Sequence, residues 1–148
     1  MIDYGLPRDI HNILVVRLGA MGDIIHALPG VALLKQRYPG ARITWVVESN
    51  WAPLIEGNGL VDRIVLFRRD QPGTWNQSRK ELRAVHYDLA VDFQGLIKSA
   101  LVAHFARPER IAGFEPGVVR ERAASWFYST RVPTISTHVV DQALEQTQ

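Results

Sequence analysis

Five short runs rich in valine and isoleucine recur along the chain, each followed by a stretch of helical character, and this alternation limits the available folds more than any other feature. The runs are NILVVRL (12–18), ARITWVVE (41–48), DRIVLF (62–67), DLAVDF (88–93) and RIAGFE (110–115), all bounded by Gly, Pro, Asn or Asp. β-branched residues in short blocks closed by turn formers mark strands. Between them, IIHALPGVALLKQRY sets Ile24, Leu28, Val31, Leu34 and Tyr38 near one helical stripe, QSRKELRAVHY reads as an amphipathic helix and LIKSALVAHFA as a buried one. Because the runs are almost continuously apolar, the strands should be buried on both faces. The expected fold is therefore α/β, a doubly wound, Rossmann-like parallel sheet with helices on each side. Two terminal helices, RERAASWFYS and HVVDQALEQTQ, are expected around a linker, TRVPTIST, interrupted by Pro133.

With 148 residues, 47% of them hydrophobic, one core and one domain over 1–148 are expected. No apolar run reaches the length of about 18 residues that a membrane span needs. The absence of cysteine excludes disulfides, thiolate nucleophiles and cysteine metal sites, and the N-terminus lacks a secretory layout, which points to the cytoplasm. A net charge of +2 is too small to imply nucleic acid, but the arginines cluster: Arg68, Arg69, Arg79, Lys80 and Arg83 in one stretch, Arg107, Arg110, Arg120, Arg122 and Arg131 in another. Each cluster reads either as a solvated face or as a surface for an anionic ligand.

In doubly wound sheets ligands settle beyond the carboxyl ends of the strands, where strand order reverses. With the order 3-2-1-4-5, the exits RLGAMGD and DFQGLIKS would open side by side. Gly19 and Gly22 can take positive φ and admit a ligand to the backbone around Ala20 and Met21. Asp23 has two readings: an N-cap or first-turn acid of the following helix, or a general base at the mouth of a cleft. The second needs burial or an acidic neighbour such as Asp92 to oppose the helix N-terminus. His26 is either packed or turned to the cleft, and Pro29 should start the helix or kink it. At the second exit Asp92, Gln94, Gly95, Lys98 and Ser99 offer polar contacts. Glu48 is a lone acid of the kind that can meet a ribose, although the glycine spacing fits neither a dinucleotide fingerprint nor a P-loop.

Taken in order, ILVVRLGAMGDIIHALPGVALLKQRYPGARITWVVE, DLAVDFQGLIKSALVA and ERAASWFYSTR resemble the N-terminal half of glycosyltransferase family 9, the lipopolysaccharide heptosyltransferases. The resemblance runs from Asn12 to His138. It implies the acceptor-binding half of a GT-B enzyme that inverts at the sugar carbon, uses no metal or other cofactor, and takes ADP-heptose on a C-terminal domain absent from this chain. The last helix stops without a cap, so the chain reads as part of something longer. The resemblance further implies that Asp23 is the base that deprotonates a Kdo hydroxyl, that Arg120 and His138 face an anionic glycolipid acceptor of Kdo-lipid A type, and that Arg68 and Arg69 retain part of a basic acceptor-binding segment. A lipid acceptor implies a cytoplasmic protein that touches the inner membrane peripherally. The alternative is a Rossmann-like nucleotide or phosphosugar binder without sugar transfer.

Overall fold

A computed structural model describes residues 9–68, 73, 75–94, 97–114 and 130–132. The order of elements is β1 (Asn12–Val16), α1 (Met21–Arg37), β2 (Arg42–Glu48), a 3₁₀ turn (Ser49–Leu54), β3 (Arg63–Phe67), α2 (Trp75–Arg83), β4 (Leu89–Asp92), α3 (Ile97–Phe105), β5 (Ile111–Phe114) and β6 (Thr130–Val132). All strands pair in parallel in the order β3-β2-β1-β4-β5-β6. The expected order is therefore present, extended by one strand: Thr130–Val132, read from sequence as a linker before Pro133, pairs with β5. Pro133 itself lies outside the described residues.

Alternation along the central strands sends side chains to two separate cores. Leu14, Val16 and Val46 face Leu82 of α2 and Ala100 and Ala103 of α3. Ile13, Val15, Trp45 and Val47 face Ile24, Ala27 and Val31 of α1 and Ala52 and Ile55 of the 3₁₀ segment. Burial on both faces explains why these strands read as unbroken apolar runs.

Helix α1 runs unbroken from Met21 through Pro29, so neither a start at Pro29 nor a non-helical segment before it is found. Proline lacks the N–H that would meet the carbonyl of Ile25, and Ile25 is on the exposed face, where water can take that bond. Lys35 and Arg37 sit in the last turn, beside the helix carbonyls, and Lys35 Nζ donates to Ala41 O at 2.6 Å.

The amino edge of the sheet is held by carboxylates. Asp88 accepts the backbone N–H groups of His11 and Asn12 at 2.7 and 3.0 Å. Partial burial works to raise the Asp88 carboxyl, but the two N–H donors and the nearby His11 and His86 prevail and hold it below the ordinary value of 3.8. A carboxyl depressed in the fold stabilises it fully above its unfolded value, and that stabilisation is lost as pH falls through the folded value. Asp88→Asn should therefore flatten the acid limb of stability below pH 3.8, as read by urea unfolding across pH, and an unchanged slope would show that the two N–H bonds carry no linkage.

Candidate active site

The exits of β1 and β4 are stitched into one unit. Val16 sits opposite Asp92 in the parallel register. Beyond that pair, Phe93 N donates to Val16 O at 3.0 Å, Leu18 N to Gln94 Oε1 at 2.8 Å, and Arg17 Nη1 to Phe93 O at 2.8 Å. On the other flank Glu48 N donates to Leu18 O at 2.9 Å. Three strand ends thus converge on the segment from Arg17 to Gly22.

Asp23 stands in the first turn of α1 but caps nothing: the N-cap is Ala20 in an extended conformation with no side-chain cap bond. Its Oδ2 lies 2.7 Å from Arg17 Nη2, and 48% of its side chain stays open to solvent against 8% for Arg17. Neither condition set for the base reading is therefore met: the carboxylate is half-exposed rather than buried, and its neighbour is a cation in place of the expected acid. Arg17 was missing from the sequence-derived candidates, although an arginine closing a fully apolar strand carries a readable signal, since a buried charge demands a partner. Its backbone is fixed as well, because Trp45, fully buried, donates its indole N–H to Arg17 O at 3.0 Å.

Asp92 and Gln94 are interior rather than open. Asp92, 1% exposed, accepts Ser99 Oγ through Oδ2 and Gln94 N through Oδ1. These bonds tie the end of β4 to the start of α3. Asp92 therefore has no face to offer an acceptor, and Gln94, also buried, uses its amide oxygen to hold Leu18. Both residues hold the strand exits and the start of α3 together.

Glu48 is not a lone acid. Lys98 Nζ lies 3.1 Å from Glu48 Oε1 and 4.7 Å from the centroid of the Phe67 ring, so one ammonium joins the ends of β2 and β3 to α3. Neither Gly19 nor Gly22 takes positive φ; among the described glycines only Gly57 does. Gly19 is needed for another reason: a Cβ there would come within 2.9 Å of Trp51 Nε1. Trp51, on the 3₁₀ segment after β2, is a second residue that the sequence reading missed, for it belongs to no periodic pattern. Gly22 lies within α1 with nothing within 4 Å of an added Cβ. Thermal unfolding should separate the two glycines: Gly22→Ala should be neutral or stabilise by up to about 1 kcal/mol, and Gly19→Ala should cost about 1–3 kcal/mol as the indole is forced aside. Equal effects would remove the Trp51 contact as the reason for Gly19.

Ala20, Met21 and His26 are exposed beside Asp23, and Arg68 is exposed at the end of β3 on the same edge of the sheet. Arg69, Gly95, Arg120 and His138 lie outside the described residues, as do the two expected terminal helices. The architecture defines a Rossmann-like, doubly wound domain whose carboxyl edge carries a half-exposed carboxylate clamped by arginine.

Comparison with known proteins narrows this class. The sequence pattern of glycosyltransferase family 9 (heptosyltransferase) matches residues 75–147. Lipopolysaccharide heptosyltransferase 1 of Pseudomonas aeruginosa is 30% identical over 142 residues, which cover 88% of this chain and 40% of the relative. The enzyme of the same name from Escherichia coli K12 is 33% identical over 131 residues, covering 81% of this chain and 41% of the relative. Among solved structures, E. coli heptosyltransferase WaaC with ADP superposes with a TM-score of 0.77 at 30% identity, over 90% of this chain and 45% of that one. E. coli ADP-heptose lps heptosyltransferase II superposes with a TM-score of 0.63 at 26% identity, over 76% of this chain and 32% of that one. The chain belongs to glycosyltransferase family 9, and it spans about two fifths of the length of the curated relatives it matches.

Proposed function

We propose that this chain is the acceptor-binding half of an inverting GT-B heptosyltransferase that moves heptose from ADP-heptose to a Kdo residue of the lipopolysaccharide inner core. The observation that carries the reading is the half-exposed carboxylate of Asp23 at the joint exit of β1 and β4, held by Arg17. In this reading Asp23 takes the proton of the attacking Kdo hydroxyl as the oxygen bonds to the anomeric carbon, and ADP departs with the electron pair of the broken bond. Arg17 keeps the carboxylate aimed at the crevice, so that the base is in place before the acceptor arrives. The names of the matched proteins support the donor, because one solved relative carries ADP and another carries ADP-2-deoxy-2-fluoro heptose. The acceptor is an anionic glycolipid of Kdo-lipid A type, met by Arg68 and Arg69 and, on the matching family positions, by Arg120 and His138. Gly19, Ala20, Met21, Gly22, His26, Gly95 and Lys98 border the acceptor, and the protein works on the cytoplasmic side with a peripheral contact to the inner membrane. Among the described residues no helix is long and apolar enough to cross a membrane.

Calorimetric titration of the chain with a soluble Kdo-bearing lipid A mimic, and separately with ADP and ADP-heptose, tests the assignment. Saturable binding of the glycolipid without binding of the nucleotides is the expected result. Nucleotide binding without glycolipid binding would make the domain a nucleotide module instead, a reading disfavoured by the pairing of Glu48, the one candidate for a ribose, with Lys98.

A further inference from the structure

At the opposite edge of the sheet from Asp23, where α2 and α3 end and β5 begins, Arg83, His104, Phe105, Arg107, Pro108 and Ile111 line a cavity of about 320 Å³. Three features set its chemistry apart. Arg107 has φ of 53°, the left-handed region in which a helix normally places glycine or asparagine after its last turn, and its N–H closes that turn onto His104 O at 3.0 Å. Arg79 and Arg83 stand four residues apart on α2, a spacing that brings like charges together on one helix face. Partial burial, followed by the guanidinium groups of Arg107 and Arg79, lowers Arg83 from the ordinary arginine value.

Carboxylate partners for this cluster are absent among the described residues. No ion pair involves Arg79, Arg83 or Arg107, and the adjacent carboxylate, Glu109, is paired with His86 at 3.0 Å. Capping explains only one of the three arginines: Arg83 Nε donates to Phe105 O at 3.0 Å, at the end of α3. Arg107 holds a backbone conformation that glycine would adopt without strain. The rest of the lining is His104 and the apolar Phe105, Pro108 and Ile111.

We propose that this cavity binds a phosphate ester, with the phosphate between Arg83 and Arg107 and the carbon portion against Phe105, Pro108 and Ile111. Arginine suits the role because its planar fork matches two phosphate oxygens at once. The site is separate from the Asp23 crevice, and its occupancy does not depend on sugar transfer.

The test titrates the full chain with glycerol 3-phosphate, with inorganic phosphate, and with phosphatidylcholine vesicles with and without phosphatidylglycerol, following the amide resonances of residues 83, 104–107 and 109–111. Saturable shifts with glycerol 3-phosphate would assign the site to soluble esters, and shifts only with phosphatidylglycerol vesicles would assign it to lipid headgroups. Arg107→Gly should weaken binding about ten-fold or more, as expected for the loss of one charge-assisted contact, while leaving the thermal midpoint unchanged or raised. Arg83→Lys, which keeps the charge but loses the fork, should weaken it as well. No saturable shift with any probe, or an affinity in Arg107→Gly equal to that of the unchanged chain, would overturn the proposal.

Discussion

On the proposed function, Asp23→Asn in a two-domain protein carrying this chain should lower heptose transfer by about 10²–10⁴-fold, the usual contribution of a positioned general base, while acceptor binding stays within a few-fold. Asparagine keeps the size of the side chain and a partner for Arg17 Nη2, so the crevice should survive while the proton acceptor is lost. Radiolabelled or mass-resolved heptose incorporation into a Kdo-bearing acceptor gives kcat, and titration of the same variant gives affinity. The separation matters, because a fall in affinity alone would mean that Asp23 grips the acceptor, whereas near-normal turnover would remove it as the base. Removing Arg17 by Arg17→Met should lower kcat less than Asp23→Asn does, since Arg17 acts through the carboxylate it holds at 2.7 Å.

Trp45→Ala should cost about 3–5 kcal/mol of folding stability, the largest loss expected for any single side chain described, and Trp45→Phe only about 1–2 kcal/mol. Trp45 is fully buried in the core between β2 and α1, and the alanine variant empties that volume. Phenylalanine refills much of it but abandons the bond from the indole N–H to Arg17 O, leaving a buried carbonyl without that donor. Urea unfolding of the two variants should therefore give well-separated midpoints at similar m-values. If both fell by the same small amount, the packing of Trp45 would not be what holds the β1 exit.

These two residues show how differently parts of the molecule can be read. The strands were legible because a parallel strand covered on both sides is apolar at nearly every position, a pattern that survives in one dimension. The expected runs 12–18, 41–48, 62–67 and 88–93 enclose β1 to β4 with one or two residues to spare. The strand Thr130–Val132 was not legible, being three residues long, with its pairing decided by β5 rather than by its own composition. A helix start at Pro29 is not found, because the packing of Ile24, Ala27 and Val31 against the sheet, invisible in the linear order, carries the helix upstream of it.

The site divides along the same line. Asp23 and the adjacency of the β1 and β4 exits followed from motif and topology, since glycine-bearing turns between apolar strands are local signals and the doubly wound order brings those exits together. Which polar groups are spent on each other is a matter of distances between segments far apart in the chain. Asp92 reads as a contact residue until Ser99 and the backbone of Gln94 are seen to occupy its carboxylate. Glu48 reads as solitary until Lys98, fifty residues on, is found 3.1 Å away.

By itself, then, the amino-acid order determined the layered α/β class, the strand sequence through β5 and the position of a carboxylate at the carboxyl edge of the sheet, because burial periodicity and turn chemistry are written residue by residue. Only the tertiary structure decided that Arg17 holds that carboxylate, that Trp51 stands over Gly19, and that Asp92 is internal framework. Hydrogen bonds and ion pairs act over about 3 Å, and nothing in the linear order says which distant side chains will come that close.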